Sequence, residues 1–434
     1  MKITIPLNLL FAYFMLIFIS TAWLQSMGFG STSYGIVLTS LIIIITKLYT
    51  SYNSSTLLHL GNIIVIAFTL IFLILLHGFI VSFSGFEVSF TRLMFSSLVL
   101  LLLVIAAFIF SNLLKEIDSK RFESVMWAVT ALMVIFIPLI FLRYSVLVPI
   151  PSEIKGLLAY IIVYSEPSHY VIAFLPIYLY RFILGTYKSR ILIIGVGILF
   201  YLVLGSSTFF IFIIGLCFLL ILSRPKLFNL ALFIITICLI VLWVGPFGEY
   251  NYFQNNGFLN KAGSLLSLLL SETLPNDSSL PYISISTLSF IADWHQASLN
   301  FINTNGLGVG FQQTGISDDR SYVKDIIYSQ SGSFGWVIKF ETFSVMPKII
   351  SEFGIFAFIF LLLFLKCFLV SIVQIKNSIM TKIIDIDKKM LLINCFIVCN
   401  AVNLFIRGTG YFTTSSFLLV VAFFYLASIK KTNG

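Results

Sequence analysis

Glu166 and His169 stand three residues apart in the segment Tyr164 to Tyr170 (YSEPSHY), at the start of an apolar run. That spacing puts a carboxylate and an imidazole on one face of a helix. At a membrane edge such a pair can fix each other's charge state and act as a general base. Ser165 and Ser168 are candidate helix caps, and Pro167 suits a first helical turn. The plainer alternative has Glu166 only placing negative charge at a helix N-terminus, where the backbone dipole favours it.

A second group is cationic. Arg143 ends one apolar run, Arg407 opens the short turn Arg407 to Tyr411 (RGTGY), and Arg320, Lys324 and Lys339 lie in a long polar segment. A planar guanidinium can grip phosphate oxygens in pairs. Taken singly, each arginine also reads as a snorkelling anchor at the lipid headgroups.

A third signal is Asn305 to Phe311 (NGLGVGF), preceded by Asp293, Trp294 and His295. Glycines at 306, 308 and 310 allow tight turns and close backbone approach. No strand–helix unit surrounds them, so this is not a dinucleotide loop. Asp293 and His295 face apart if helical, and a role at a loop surface is their default reading.

The elements that must position these groups are membrane spans. Hydrophobic residues make up 59% of the 434 and charged residues only 10%, where a soluble domain carries roughly 25% charged residues. Mean hydropathy is +1.06. So few charges cannot cover a soluble surface, and runs that are apolar on every side exclude a β-barrel, whose strands alternate. The net charge of +9 does not by itself point to nucleic acid, because in a membrane protein the side on which charges lie matters more.

The expected fold is therefore an all-α polytopic membrane protein with about twelve helices. The spans fall near 7–25, 33–50, 60–82, 93–113, 124–142, 168–184, 190–205, 207–223, 228–246, 347–370, 389–406 and 412–429. Residues 1–246 hold nine spans, 247–346 form one long periplasmic loop containing short helices, and 347–434 hold three spans. With both termini cytoplasmic, the inner segments collect seventeen of the 26 basic residues and five of the 17 acidic ones, as the positive-inside rule expects. A hairpin broken at Gly205 to Ser207 keeps Arg181, Lys188 and Arg190 on the same side as Arg224 and Lys226. The first span reads as uncleaved, since no small-residue cleavage site follows it.

The long loop exceeds ordinary connections many times over. Its aromatics and leucines predict a segment folded against the membrane, and Phe258 to Leu270 (FLNKAGSLLSLLL) reads as an in-plane amphipathic helix or a buried piece of loop. The cysteines, Cys217, Cys238, Cys367, Cys395 and Cys399, read as small buried hydrophobes. Neither a zinc-ligand spacing nor a Walker loop is present, and no repeat marks a two-halved transporter. Carboxylate chains of the kind a proton relay needs are also missing from the spans.

Taken together, these segments resemble the Wzy-type O-antigen polymerase family. Members have many spans and one dominant periplasmic loop. The resemblance is carried by Ser165 to His169 before a span, Gly306 to Phe311 near the end of the long loop, Ser351 to Ile355 (SEFGI) at the next span, and Arg407 to Tyr411 in a late outer turn. It covers the architecture of the whole chain and a few dozen residues in motif. O-antigen ligases look alike in topology, and there His295 would fill the place of their loop histidine.

The resemblance implies a metal- and cofactor-independent glycosyltransferase at the periplasmic face of a bacterial inner membrane. Its substrates would be undecaprenyl-pyrophosphate-linked oligosaccharides, with membrane lipids and a chain-length regulator protein as partners, and no nucleic acid. A hydroxyl of the incoming unit would attack the anomeric carbon of the chain's first sugar, and lipid pyrophosphate would leave. Glu166 would take the proton, with His169 orienting or replacing it. Arg143, Arg407 and Arg320 would bind pyrophosphate, and Tyr170, Asp293, Trp294, His295 and Tyr411 would bind sugar. Trp294 and Trp336 suit stacking on sugar rings and interface anchoring equally.

Overall fold

The computed structural model describes residues 7–24, 33–50, 54–144, 167–204, 208, 211–216, 285–316, 344–380, 386–408 and 410–432. Every regular element among them is a helix. In chain order these are α1 (Leu7–Leu24), α2 (Ser33–Thr50), α3 (Ser54–Phe83), α4 (Phe90–Glu116), α5 (Ser119–Tyr144), α6 (Pro167–Leu184) and α7 (Tyr187–Leu204). Later in the chain come α8 (Ile285–Asn303), α9 (Val345–Phe353), α10 (Phe356–Met380), α11 (Lys388–Phe405) and α12 (Thr414–Thr432).

Five of the described helices have segments long and apolar enough to cross a membrane: Ile63–Phe83, Phe90–Glu116, Ser119–Leu142, Phe356–Met380 and Lys388–Phe405. A helix the length of α4 reaches about 40 Å, more than a hydrocarbon core of about 30 Å. Shorter apolar stretches lie at Asn8–Ile19, Tyr34–Tyr49, Ser168–Leu184 and Thr414–Ile429. Large apolar side chains such as Ile66 and Phe72 on α3, and Ile359, Leu362 and Val373 on α10, stand exposed. A belt of this kind needs lipid to cover it.

Helix α6 lies at the centre. It packs on α5, α7, α11 and α12, and its residues 170–180 are all buried. Aromatic rings lock it in place: Phe174 stacks on Phe18 at 4.7 Å, and Tyr170 on Phe200 at 5.6 Å. Helix α4 forms a second hub, touching α2, α3 and α12.

The two ends of the bundle differ chemically. At one end the α4–α5 turn meets the start of α11. Lys388 pairs with Glu123 at 2.7 Å, and the Lys389 ammonium donates to the carbonyls of Lys115 and Ile117. Asp387 caps α11 by accepting from the backbone N–H groups of Lys389 and Met390. At the same end, Arg181 donates to the Thr130 hydroxyl at 2.7 Å and stacks on Trp127. The opposite end gathers the α3–α4 turn, residues 304–316, α9 and the α11–α12 turn.

The span expected over 347–370 is not one helix. It is divided into α9 and α10 at Gly354. The division has a steric cause: Gly354 has φ +54, and a Cβ there would collide with the Gly306 carbonyl. Residues 207–210 and 217–246, which belong to two expected spans, are outside the described residues, as is Phe258 to Leu270, apart from Thr208. Cys395 and Cys399 are buried in α11 and Cys367 is half-buried on α10. Cys217 and Cys238 also lie outside the described residues.

Candidate functional site

The glycine-rich segment after α8 is a tight knot. Asn305, Gly306, Gly308 and Gly310 all have positive φ, which glycine adopts without steric cost. The knot runs along the end of α9, pairing backbone to backbone. Val309 N–H donates to the Ser351 carbonyl at 2.9 Å, Gly310 N–H to the Glu352 carbonyl at 2.9 Å, and Ile355 N–H to the Gly306 carbonyl at 2.8 Å. A Cβ at Gly308 would lie 2.5 Å from the Glu352 carbonyl oxygen, so only glycine allows this approach.

Side chains bind the knot to three other elements. The Gln313 amide oxygen accepts the Ser89 N–H at 2.8 Å, which ties it to the start of α4. His77 of α3 contacts the Leu307 carbonyl at 2.9 Å and stacks on Phe353. Phe311 stacks on Tyr411 with ring centroids 5.5 Å apart, which ties the knot to the α11–α12 turn. That turn in turn touches α9, because Gly408 lies against Val345.

Helix α9 carries two charged side chains into this buried junction. Lys348 and Glu352 are one turn apart, with Nζ 4.0 Å from Oε1 and side-chain exposures of 6% and 0%. Thr314 donates to Glu352 Oε1 at 3.0 Å, and Lys348 donates to Gln312 Oε1 at 3.2 Å. The Lys348 ammonium also lies 5.0 Å from the Tyr411 ring centroid. Arg92, at the start of α4, is close enough to feel the charge of Glu352. Two cations thus face one carboxylate, which meets the need of a buried charge for compensation. Tyr411 lies in the same field. Burial, then the Glu352 charge and the contact with that carboxylate, push its phenol well above its usual range, so it stays protonated and can act as a donor.

Helix α8 presents a polar stripe to the junction. Ser289, Asp293, Gln296, Asn300 and Thr304 are all buried, at spacings of three and four residues. Gln296 donates to Asn300 at 3.0 Å, Asn300 donates to the Ser351 hydroxyl at 2.6 Å, and the Thr304 hydroxyl accepts the Gly308 N–H at 2.8 Å. A stripe of this kind is consistent only with burial against other polar groups, because unpaired polar atoms are costly in an apolar interior.

The residues singled out in the sequence fall in different places. Tyr411 belongs to the junction. Arg407 begins the same turn and is half-buried, with its N–H bonded to the Val402 carbonyl. His169 is half-buried in the first turn of α6. One turn further on, the Ile172 carbonyl accepts the Ser415 hydroxyl at 3.3 Å, so α6 begins near the end of the α11–α12 turn. Tyr170 is wholly buried, and its hydroxyl donates to the Met133 carbonyl at 2.8 Å, so the ring lies within the helix core. Asp293, Trp294 and His295 are in α8, not on a loop surface. Asp293 is 2% exposed, while Trp294 and His295 are half-buried. Trp294 packs edge-on to Phe290. The helical period that carries the polar stripe accounts for the difference. Glu166, Arg320, Lys324, Trp336 and Lys339 lie outside the described residues, as does the side chain of Arg143 at the end of α5.

Sequence reasoning gave no role to Lys348, Arg92, Gln312 or Thr314, and it noted Glu352 only as part of the Ser351 to Ile355 segment. The available signal was an i,i+4 Lys–Glu pair behind Pro347 in an otherwise apolar run. Among the described residues no group of three or more His, Cys, Asp or Glu is placed to hold a metal ion. Compared with family models, curated proteins and solved structures, the chain matches none of them.

Proposed function

We propose that this protein polymerises undecaprenyl-pyrophosphate-linked oligosaccharide repeat units into an O-antigen-type polysaccharide at the outer face of a bacterial inner membrane. One observation carries the reading. Three of the four segments behind the family resemblance, Gly306 to Phe311, Ser351 to Ile355 and Arg407 to Tyr411, meet at one end of the helix bundle. Segments some 40 to 100 residues apart in sequence have no local reason to meet. A shared site gives them one.

In this reading the ends of the bundle have opposite sides. The end with Lys388, Lys389, Lys115 and Arg181 faces the cytoplasm, with both termini, as the charge rule expects. The junction faces the periplasm. Arg407, with Arg143 and Arg320, holds the lipid pyrophosphate. That group carries its charge from the outset, so guanidinium groups can stabilise its departure without a metal. Glu166, oriented by His169, is the base that the sequence suggests. Segment 247–346 covers the sugars, and a chain-length regulator is the expected protein partner.

Deletion and complementation in the native host test the reading. Loss of a polymerase leaves lipid A core capped with a single repeat unit. A bare core would instead indicate a ligase, and repeat units trapped on the cytosolic face a flippase.

A further inference from the structure

Helix α10 carries a lysine at mid-membrane depth. A span over 347–370 would put Lys366 four residues from its end. The division at Gly354 instead starts the helix at Phe356 and runs it to Met380, so Lys366 lies ten residues from one end and fourteen from the other. At 1.5 Å per residue that is about 15 Å and about 21 Å, near the middle of a hydrocarbon core of about 30 Å. Contacts with α11, itself long and apolar enough to cross a membrane, give the same depth. Phe364 packs on Phe405, and the Asn394 amide donates to Gln374 at 2.8 Å, so Lys366 falls within the length of α11.

The residue faces out of the bundle. Lys366 is exposed, and among the described residues no hydrogen bond or ion pair engages it. Ile359, Leu362, Leu369 and Val373 flank it, each more than half exposed. With Lys366 they are spaced three, four, three and four residues apart, the repeat of a seam that packs on another helix, where one polar side chain fixes the register. Lys376, four residues from the helix end, can carry its ammonium to the headgroups. Lys366 lies too deep for its four-carbon stem to do so. A charge at that depth is costly, and it is found where another group pairs with it.

We propose that this face of α10 docks a transmembrane helix of a different membrane protein, one carrying an Asp or Glu at mid-depth that pairs with Lys366. The chain does not supply that carboxylate itself. Glu352 is the only acidic residue inside the twelve runs expected as spans, and it is buried against Lys348. A second copy seated symmetrically on the same face would set Lys366 against Lys366, and like charges repel strongly where the dielectric is low. Lipid alone covers the leucines but leaves the ammonium uncompensated. Helix α3 makes the contrast: its exposed face, with Ile66, Phe72 and Leu73, belongs to a helix with no Lys, Arg, Asp or Glu. The proposal holds whatever reaction the junction carries out.

The test uses the full-length protein in its native host, with the photoreactive residue p-benzoylphenylalanine in place of Leu369 and, as a control, in place of Phe72. Adducts are identified by mass spectrometry. The probe at Leu369 is expected to capture a transmembrane segment of another protein with an Asp or Glu at mid-span, and the probe at Phe72 lipid only. Lys366→Leu removes a charge from an exposed site, so the purified variant should melt no lower than wild type. It should cut the capture about tenfold, as when helices lose a polar contact within a membrane. Lys366→Glu should cut it too, and exchanging the captured segment's acidic residue for Lys should restore it. Adducts with lipid alone or with a second copy, a captured segment without an acidic residue, equal capture of that segment from Phe72, or capture that survives Lys366→Leu would each overturn the proposal. If Lys366→Leu does not fold, the paired charge exchange decides.

Discussion

Gly308 lies directly against the peptide of Glu352, so close that a Cβ on it would sit 2.5 Å from the Glu352 carbonyl oxygen. The contact joins the glycine-rich segment after α8 to α9, and it fixes where the Glu352 side chain starts. Gly308→Ala meets both this clash and a positive φ of +80. The expected cost is about 2 kcal/mol or more, read as a lower melting temperature of the purified protein. Gly85, which also has positive φ but nothing near its Cβ position, should cost only about 1 kcal/mol. Equal losses at the two sites would show that the contact with Glu352 carries no weight.

Lys348 and Glu352 form a buried pair, and such pairs have an asymmetric energetics. Removing one partner strands the other charge, at about 3–5 kcal/mol, whereas replacing both with apolar groups of similar volume is often near neutral. Lys348→Met alone should therefore destabilise more than the double variant Lys348→Met, Glu352→Met, although Arg92 keeps the double variant from full recovery. Chemical denaturation of the two variants makes the comparison. A double variant less stable than the single would mean that the pair is not coupled.

Asn300 joins α8 to α9 through the Ser351 hydroxyl. Asn300→Ala leaves a buried hydroxyl with less to bond, at about 1–3 kcal/mol. Removing Ser351 as well should recover part of the loss. Additive losses in this cycle would rule out the contact as the link between the two helices.

How far the sequence reveals all this depends on the kind of signal. The apolar runs are legible because a hydrocarbon core sets their length. Helices α2, α6 and α11 accordingly fall within a residue of the spans expected from sequence. The glycines at 306, 308 and 310 are legible as a tight turn, but not the backbone against which they turn, because that pairing spans about forty residues. Lys348 and Glu352 fall within the first turns of the span expected over 347–370, where nothing local marks them as a buried pair. Only the break at Gly354 and the docking of Gly308 make them the floor of a junction. Asp293 misleads in the opposite direction: its loop looks polar and open, yet α8 turns a polar face inward. His295, on the neighbouring strip of that helix, stays half-buried.

Arrangement across the membrane gives a further prediction. Single cysteines placed at Glu87 in the α3–α4 turn and at Gly410 should react with an impermeant maleimide from outside intact spheroplasts, and one at Asp118 only after lysis. Glu87 and Gly410 lie at the junction end, Asp118 at the lysine-rich end. Labelling of Asp118→Cys from outside would invert the assignment and remove the junction from the periplasm.

The account depends most on the junction being a place where sugars are joined. The purified protein, reconstituted in lipid and given only its undecaprenyl-pyrophosphate-linked repeat unit, should build a ladder of polymers without added metal or nucleotide, and release undecaprenyl pyrophosphate in step. Lipid-linked units that persist unextended, with no pyrophosphate lipid released, would contradict it.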